Sequence, residues 1–299
     1  MNRCRICGLA EEKAHAACVR RLFGAARVPV IDLALKEIAV ETQKIAGKMS
    51  ISGVQPKLSV ARKGGRLVPV AAGGTHILKP QTQAFRNLPE NEQLCMSLAA
   101  RLGIDVPPHG LLNLSDGSAA YVVKRFDRAG DGAKLRCEHF AQILGRDKYE
   151  GSVEAVGRKL AELSEFPGLD TQLLFERVLF NFLVGNGDAH LKNHSILEQA
   201  DGTLRLAPAY DLLCSKLVVA GEDESALAIN GRKNKLTLGD FSALARQCGI
   251  GTGTFNRLVE RLRPLKDLAH EETPDSRLGG ADKERMTVII DGRWSRIYA

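Results

Sequence analysis

Long hydrophobic runs are missing from this 299-residue sequence. No stretch approaches the roughly eighteen apolar residues that a membrane-spanning helix needs. The first residues, Met1-Asn2-Arg3-Cys4, also lack the apolar core of a secretory signal peptide. These absences predict a cytoplasmic protein, and the chain is long enough for one bilobal domain or two small ones.

Aromatic residues are scarce as well, at 5% of the sequence, and the lysines and arginines are dispersed instead of forming tracts. Nucleic-acid-binding surfaces commonly combine clustered basic residues with aromatic ones. The net charge of +7 permits an acidic partner such as nucleic acid or a nucleotide. The dispersed pattern nevertheless favours a solvated basic surface.

The cysteines do not form the even, regularly spaced set of a disulfide-rich protein. There are seven of them, and four stand alone along the chain: Cys95, Cys137, Cys214 and Cys248. An odd and scattered set predicts reduced thiols.

The other cysteines lie near the N-terminus together with a histidine. Cys4, Cys7, His15 and Cys18 have the spacing C-x₂-C followed by H-x₂-C. Thiolates and an imidazole at such spacings suit a tetrahedral structural zinc ion, which would stabilise a segment too short to build its own core. The two halves are closer together than in common zinc fingers. The alternative is a set of reduced surface thiols beside a helix that starts near His15.

The sequence lacks the Gly-Lys-Ser/Thr phosphate loop of the Walker type, yet its middle carries three polar residues typical of phosphoryl transfer. Asp188 is followed five residues later by Asn193, and Asp211 comes after a predicted short strand. In protein kinases the first Asp of such a set accepts the proton of the attacking hydroxyl, while the Asn and the second Asp bind magnesium. An amide oxygen and a carboxylate suit this hard cation.

Asp188 has a second interpretation, because the preceding residues 185–187 (Gly-Asn-Gly) are typical of turns and Asp188 could simply cap one. The presence of Asn193 and Asp211 favours the phosphotransfer interpretation. For His190, which lies between them, a role in bracing the loop is favoured over direct catalysis.

Hydrophobic periodicity divides the chain into a β-rich front and a helical back, which predicts an α+β fold. The predicted strands are 56–61, 66–70, 75–79, 110–114 and 119–123, and the predicted helices are 89–102, 171–184, 240–248 and 252–268. Residues 281–297 are ambiguous between helix and strand. The predicted domains are a Cys-rich segment at 1–48, a β-rich N-lobe with the phosphate loop at 49–126, and a helical C-lobe with the catalytic loop at 127–299.

Six motifs, taken in this order along the chain, resemble the HipA-like serine/threonine kinases of bacterial toxin–antitoxin modules. They are residues 50–57, 76–79, the pair Asn91-Glu92, 125–128, 185–193 and 208–211. Each motif is weak alone, but their order and spacing together are specific. The resemblance implies a bilobal protein-kinase-like fold and transfer of phosphate from ATP, with Mg²⁺, to a protein serine or threonine.

The same resemblance implies the ATP-binding residues. Lys79 is similar to the strand lysine that contacts the α and β phosphates. Glu92 resembles the helix glutamate that braces this lysine, although a Glu in a first helical turn also stabilises its own helix. The adenine would meet the backbone of Lys124, Arg125 and Phe126. The other implied ATP-binding residues are Ser52, Gly53, Val54, Gln55, Pro56, Lys57, His190, Leu191, Lys192, Asn193, Tyr210 and Asp211.

A regulatory switch in the phosphate loop is also implied by the resemblance. In the family a serine of this loop becomes phosphorylated, and the displaced loop then prevents ATP binding. Ser50 occupies the matching position and Ser52 is a second candidate. A phosphate there adds nearly two negative charges where the ATP phosphates bind. The alternative is that both are ordinary turn serines.

About fifty residues precede the phosphate loop, as in the short HipT-type branch of the family. In that branch a separate small protein, HipS, supplies a missing subdomain beside the DNA-binding partner HipB. The family's known targets are aminoacyl-tRNA synthetases. The implied partners are therefore a synthetase substrate and HipB-like and HipS-like antitoxin proteins, with DNA bound only through the antitoxin.

Two other functions fit parts of the sequence. A small-molecule or lipid phosphotransferase on the same scaffold would keep the chemistry and change the acceptor. A nucleotide-binding regulatory module, with the Cys-rich segment and the basic surface touching nucleic acid, would not need the three polar residues. Because Asp188, Asn193 and Asp211 are all present, the sequence favours an enzyme.

Overall fold

The computed structural model of the chain describes residues 4, 6, 15–46, 56–130 and 132–299. The chain forms two compact units. The first consists of Met1–Ser97, Pro107–Ala133 and Asp275–Gly279, and the second of Leu98–Val106, Lys134–Pro274 and Gly280–Ala299, in each case as far as the residues are described.

A five-stranded antiparallel sheet forms the centre of the first unit, with the strand order β2-β1-β3-β5-β4. Its strands are β1 (Leu58–Lys63), β2 (Arg66–Pro69), β3 (His76–Pro80), β4 (His109–Asn113) and β5 (Ala119–Lys124). A turn at Gly64 and Gly65 joins β1 to β2, and Gly64 adopts a φ of 59° that other residues rarely accept. All five strands expected from the sequence are confirmed, with shifted ends.

One face of this sheet packs against the N-terminal part of the chain, which includes helices α1 (Ala16–Phe23) and α2 (Leu35–Ala46). Side chains alternate between the two faces of a strand, so every second residue of β1, β3 and β5 points to this side. The resulting cluster of buried hydrophobic residues comprises Cys4, Ile6, Val19, Leu22, Phe23, Ile31, Ile38, Leu58, Val60, Leu67, Leu78, Leu112, Leu114, Ala120 and Val122.

The opposite face of β3 and β5 carries Lys79 and Tyr121, which are direct partners across the two strands. Because Leu78 points into the hydrophobic cluster, its neighbour Lys79 points away from it. Helix α3 (Leu88–Arg101), predicted at 89–102, supplies Glu92 to this side of the sheet.

The second unit combines helices with a small antiparallel sheet of strand order β6-β7-β8. Its strands are β6 (Cys137–His139), β7 (Ser195–Glu198) and β8 (Leu204–Leu206). Its helices are α4 (Phe140–Leu144), α5 (Val153–Leu163), α6 (Pro167–Val184), α7 (Leu238–Gln247), α8 (Thr252–Leu262), α9 (Leu265–Glu272) and α10 (Gly280–Tyr298). The short strand predicted between Asn193 and Asp211 is β7, and β8 also lies in this interval.

Helix α6 is the buried centre of this unit, since every residue from Leu174 to Val184 is buried. It begins at Pro167, four residues before the predicted start at residue 171. Proline is favoured in the first turn because its missing N–H would have no helical partner there. The helix ends at Gly185, whose φ of 78° stops the helix and starts the loop that carries Asp188.

Two predictions at the C-terminal end need correction or completion. The single helix expected at 252–268 is wrong, because α8 ends at Leu262 and α9 starts at Leu265, with Pro264 capping the second helix. The ambiguous segment 281–297 is helical and forms α10, which buries Met286, Ile290, Arg293 and Ile297 at helical spacing.

Among the helices of the described residues, none has both the length and the apolar character needed to span a membrane.

A buried carboxylate ties the start of α6 to the small sheet. Asp170 is completely buried and accepts hydrogen bonds from the Ser164 hydroxyl (2.6 Å) and the Leu206 N–H (2.8 Å). Arg205 adds an ion pair through its guanidinium at 2.8 Å from Asp170 Oδ1. Every oxygen of this buried charge therefore has donors, which is the condition for tolerating it.

We predict that Asp170→Ala lowers the free energy of unfolding by about 3 kcal/mol, because it leaves the Leu206 N–H and the Arg205 guanidinium without their acceptor. Urea unfolding measures the change. The control is Glu162→Ala, which removes an exposed pair with Lys159 and should change the free energy by no more than about 0.5 kcal/mol. Equal effects for the two variants would contradict the assigned role of Asp170.

Candidate active site

The loop that follows α6 is fixed at Gly187. Its N–H donates to the Ser215 hydroxyl (2.7 Å), which in turn donates to Glu222 Oε1 (2.7 Å). A Cβ atom at Gly187 would lie 2.2 Å from the backbone oxygen of Asp223, so only glycine fits here without movement of the backbone. Burial raises the pKa of the Glu222 carboxyl, and the nearby Asp188 carboxylate acts in the same direction.

Asn186 fixes the backbone just before Asp188. Its side-chain NH₂ donates to Asn181 Oδ1 in α6 (2.8 Å), and its Oδ1 accepts from the Asp188 N–H (3.2 Å). The same NH₂ lies 3.3 Å from the Asp211 carbonyl oxygen. Asn186 thus joins α6 to the two segments that carry the predicted catalytic and metal-binding aspartates.

A single backbone N–H connects the three residues of the predicted phosphotransfer site. The His190 N–H points both to the Asp188 carbonyl oxygen (2.8 Å) and to Asn193 Oδ1 (3.0 Å). The Asn193 NH₂ then donates to Asp211 Oδ2 (2.9 Å). Asp211 itself has a φ of 58°, a left-handed conformation that is uncommon outside glycine and often marks functional positions. The structure brings Asp188, Asn193 and Asp211 together.

The donor set of this network fits Mg²⁺. The amide oxygen of Asn193 and the carboxylate of Asp211 are the hard oxygen groups that this cation prefers, and the Asn193 NH₂ donates to Asp211 Oδ2. Asp211 is only half-buried, so a bound ion would keep several waters. Asn193 is 8% exposed, and its side chain is fixed by two hydrogen bonds, one from the His190 N–H and one to Asp211 Oδ2. These bonds orient the amide oxygen before any metal binds.

Tyr149 is a site residue that the sequence did not reveal. Its hydroxyl donates to Asp188 Oδ1 at 2.7 Å, and its ring packs edge-on against His190 with 5.3 Å between ring centres. The side chain is 46% exposed. Tyr149 lies 39 residues before Asp188, and no local spacing indicates this contact. The contact shows that Asp188 accepts a hydrogen bond from a hydroxyl group approaching from the surface.

His190 lies below this contact with a buried ring. Burial lowers the pKa of its imidazole, while the Asp188 carboxylate opposes the shift. Its Nδ1 has no hydrogen-bond partner among the described residues. A neutral, packed ring agrees with a bracing role.

Tyr210 braces the same loop from the other end. Its hydroxyl contacts the Ser195 hydroxyl at 2.5 Å and donates to the Lys192 carbonyl oxygen at 2.8 Å. Burial raises the pKa of this phenol. Leu191 is completely buried, whereas the Lys192 side chain is exposed. Among these three predicted ATP-binding residues, the Leu191 side chain is therefore packed in the interior. The Tyr210 hydroxyl is bonded to other groups of the protein, and the Lys192 side chain is exposed to solvent.

In the first unit, Lys79 forms an ion pair with Glu92. The Lys79 Nζ lies 2.7 Å from Glu92 Oε1, and the two side chains are 12% and 5% exposed. The ammonium also lies 5.7 Å from the centre of the Tyr121 ring. Glu92 therefore braces the lysine, which decides between the two interpretations left open by the sequence.

The predicted adenine-binding segment follows directly after β5. The Lys124 N–H donates to the Pro108 carbonyl oxygen (2.8 Å) and the Arg125 N–H to that of Thr75 (2.9 Å). These two donors are thus used within the first unit. The side chain of Phe126 is half-buried, and that of Lys124 is exposed.

Much of the predicted phosphate loop lies outside the described residues. This applies to Ser50, Ser52, Gly53, Val54 and Gln55. Of its last residues, Pro56 is half-buried and Lys57 is exposed just before β1.

Of the four predicted zinc ligands, Cys4, His15 and Cys18 come together and Cys7 lies outside the described residues.

Comparison with known proteins identifies the family of this chain. The family model for the HipA-like C-terminal domain matches residues 49–268, which include the sheet of the first unit and the whole network of Asp188, Asn193 and Asp211. The chain belongs to the HipA-like family.

Several relatives are known by sequence. The chain is 32% identical over 265 residues to the putative kinase Y4dM of Sinorhizobium fredii, with 80% of this chain and 64% of that protein covered. It is 33% identical over 257 residues to a putative kinase of Haemophilus influenzae, with 76% and 74% covered. It is 29% identical over 231 residues to the serine/threonine-protein kinase toxin HipA of Shewanella oneidensis, with 68% and 52% covered. The chain spans less than two thirds of Y4dM.

Solved structures share the HipA-like fold at lower sequence identity. The Shewanella oneidensis HipA in its complex with HipB and operator DNA matches with a TM-score of 0.73 at 21% identity, over 89% of this chain and 71% of that one. The proinflammatory kinase CtkA of Helicobacter pylori matches with a TM-score of 0.59 at 15% identity, over 84% and 92%. The predicted α+β, protein-kinase-like fold is confirmed.

A buried histidine follows Asn193 directly in this HipA-like site. Burial lowers the pKa of His194 to about 3, and the cationic Arg177 adds to the shift. Arg177 is itself buried, and its Nη2 donates to the Ala207 carbonyl oxygen at 2.7 Å. The His194 ring therefore stays neutral in the folded chain over the whole physiological range.

This predicts a loss of stability on acidification. Below the ordinary histidine pKa of 6.5 the unfolded chain takes up a proton at His194 that the folded chain does not bind, so the free energy of unfolding falls as the pH falls. Between pH 7 and pH 5.5 this one histidine should account for roughly 1.3 kcal/mol. Urea unfolding at several pH values measures the slope.

The matched variant is His194→Leu, which removes this titrating group at similar volume and should reduce the slope by the contribution of His194, while other buried histidines such as His109 and His190 keep theirs. An unchanged slope in His194→Leu would show that His194 does not stay neutral in the folded state.

Proposed function

We propose that the chain is an ATP- and Mg²⁺-dependent serine/threonine protein kinase that acts as the toxin of a toxin–antitoxin system. The observation that carries this proposal is the connected network of Asp188, Asn193 and Asp211, in which Asp188 already accepts a hydrogen bond from a hydroxyl. Family membership supports it, because related proteins are named as kinases.

In the proposed reaction, the hydroxyl of a substrate serine or threonine donates its hydrogen bond to Asp188. The hydroxyl oxygen attacks the γ-phosphorus, the bond to the ADP oxygen breaks, and Asp188 accepts the proton. Asn193 and Asp211 would hold the metal, which offsets the charge of the phosphates. Positioning and charge compensation are the main protein contributions to such a transfer.

Lys79 is the proposed contact to the α and β phosphates. Its ion pair with Glu92 is mostly buried, which fixes the direction of a long side chain that would otherwise be mobile. The segments with Lys124, Arg125 and Phe126, with Pro56 and Lys57, and with His190 to Asn193 are proposed to complete the nucleotide contacts. At Lys124 and Arg125 such contacts would involve groups other than the two engaged N–H donors.

The regulation and the partners of the chain are proposed by analogy with the family. We propose that phosphorylation of Ser50 or Ser52 prevents ATP binding, since the added negative charge would repel the nucleotide phosphates. The Shewanella oneidensis relative is found with HipB and operator DNA, so a HipB-like protein is the proposed antitoxin, with a HipS-like protein as second partner. An aminoacyl-tRNA synthetase is the proposed substrate.

The first test replaces the proposed base. Asp188→Asn keeps the shape of the side chain but cannot accept the proton, so we predict at least a 100-fold loss of phosphate transfer. Purified chain is dephosphorylated with a phosphatase, which is then removed. It is incubated with labelled ATP and Mg²⁺, alone and with synthetase preparations, and phosphosites are mapped by mass spectrometry.

The control is Asp201→Asn, at an exposed turn where the Asp201 carboxylate accepts from the N–H and the hydroxyl of Thr203, and it should transfer phosphate like the wild type. Both variants should retain the thermal stability of the wild type. Label on a small molecule but not on protein would favour a small-molecule phosphotransferase, and full activity of Asp188→Asn would contradict the proposed role.

The second test concerns Tyr149, whose hydroxyl occupies Asp188 Oδ1. If substrate must displace it, Tyr149→Phe should raise kcat/KM for the protein substrate. A partly exposed hydrogen bond to a charged group contributes about 1 kcal/mol, which corresponds to about a fivefold increase. Initial rates of phosphate transfer measure the effect.

Tyr298→Phe is the matched control, because it removes a hydroxyl bonded to the Val259 carbonyl oxygen in the C-terminal helices. It should leave kcat/KM unchanged. A decrease in Tyr149→Phe would mean that Tyr149 holds Asp188 in its working orientation instead of competing with the substrate.

A further inference from the structure

Two cysteines and a histidine from different parts of the N-terminal segment meet at one point. Cys4, His15 and Cys18 each offer one ligand atom, and these atoms all lie within 4.8 Å of one another. The distance from Cys18 Sγ to His15 Nδ1 is 3.8 Å. In a tetrahedral zinc site the ligand atoms are about 3.5–3.8 Å apart, given zinc–sulfur and zinc–nitrogen bonds of about 2.3 and 2.0 Å. The Cys18–His15 pair is thus close to this separation, and the other two pairs of ligand atoms are at most 4.8 Å apart.

The start of α1 creates this arrangement. His15 directly precedes the helix and Cys18 lies in its first turn, so a spacing of three residues puts both side chains on one side. The His15 N–H points to Cys4 Sγ at 3.4 Å. Amide donors and the positive end of a helix both stabilise a thiolate, which is the form that binds metal.

Hydrophobic packing alone explains only part of these positions. Cys4 is 2% exposed and belongs to the cluster under the sheet, where a small apolar residue would serve equally well. Packing does not account for an imidazole nitrogen and a second sulfur directed at the same place. His15 and Cys18 are both half-buried, so the cluster is close to the surface and accessible to an ion.

We propose that Cys4, His15 and Cys18 bind one zinc ion, and that this ion has a structural role. Soft thiolates with an imidazole favour zinc over the hard cations that oxygen ligands select. Such a site is separate from the oxygen ligands of Asn193 and Asp211 in both position in the fold and chemistry. Cys7 stays the sequence prediction for a fourth ligand.

The ion would stabilise the attachment of α1 to the sheet. The Leu22 carbonyl oxygen, in the last turn of α1, lies 2.8 Å from His76 Nε2 in β3, and the rings of Phe23 and His76 are 5.4 Å apart. β3 is the strand that also carries Lys79. Loss of zinc is therefore expected to loosen α1 and the start of β3, with unfolding as the primary consequence.

The experiment measures metal content in the full chain, without reference to kinase activity. The protein is produced with added zinc and purified without chelators or an affinity tag that binds metal. Wild-type protein should contain about one zinc ion per chain. Cys18→Ser and His15→Ala should each lower the content at least tenfold, while Cys248→Ser, at the end of α7, should leave it unchanged.

Cobalt substitution in the wild type tests the site even if a variant fails to fold. Added Co²⁺ should give the strong visible absorption of a tetrahedral thiolate site, and one equivalent of zinc should remove it. Removal of zinc with a chelator should also lower the melting temperature. Wild-type protein without zinc and without the cobalt spectrum would overturn the proposal, as would equal zinc content in wild type and Cys18→Ser.

Discussion

The His190 backbone N–H is the interaction on which the site depends. It lies within hydrogen-bond distance of the Asp188 carbonyl oxygen and of Asn193 Oδ1. The side-chain NH₂ of Asn193 in turn donates a hydrogen bond to Asp211 Oδ2. A backbone N–H is independent of the side chain and is lost only on substitution by proline, so the loop backbone itself sets the spacing of the proposed base and the proposed metal ligands. The end of α6 and the pair of Ser215 with the half-buried Glu222 support this loop and have the same effect.

Much of the fold could be predicted from the sequence, because its strands and long helices have strong periodicity. The five strands of the first unit and helix α6 appear as expected, whereas the break at Pro264 was missed, since the apolar spacing continues through it. The segment that forms α10 could not be assigned from pattern alone. Its burial depends on packing against α6, a contact that no local window contains.

The candidate site shows the same division. That Asp188, Asn193 and Asp211 lie together could be predicted from the sequence, because their residue types and spacing match those that phosphoryl transfer requires in protein kinases. Tyr149 and the Ser215–Glu222 pair could not, since they reach the loop only through the tertiary fold. Glu92 stands between these cases: its sequence position fits two roles, and only its 2.7 Å contact with Lys79 distinguishes them.

Binding of a non-hydrolysable ATP analogue, measured by calorimetry with and without Mg²⁺, tests the central claim most directly because it needs no protein substrate. The wild-type chain and Asp211→Asn are compared after removal of any phosphate from both. The account predicts that Mg²⁺ tightens binding at least tenfold in the wild type and has little effect in Asp211→Asn, since a neutral amide replaces the carboxylate ligand. The same Mg²⁺ effect in both proteins, or no binding by either, would contradict the assignment of Asn193 and Asp211 as the metal–nucleotide site.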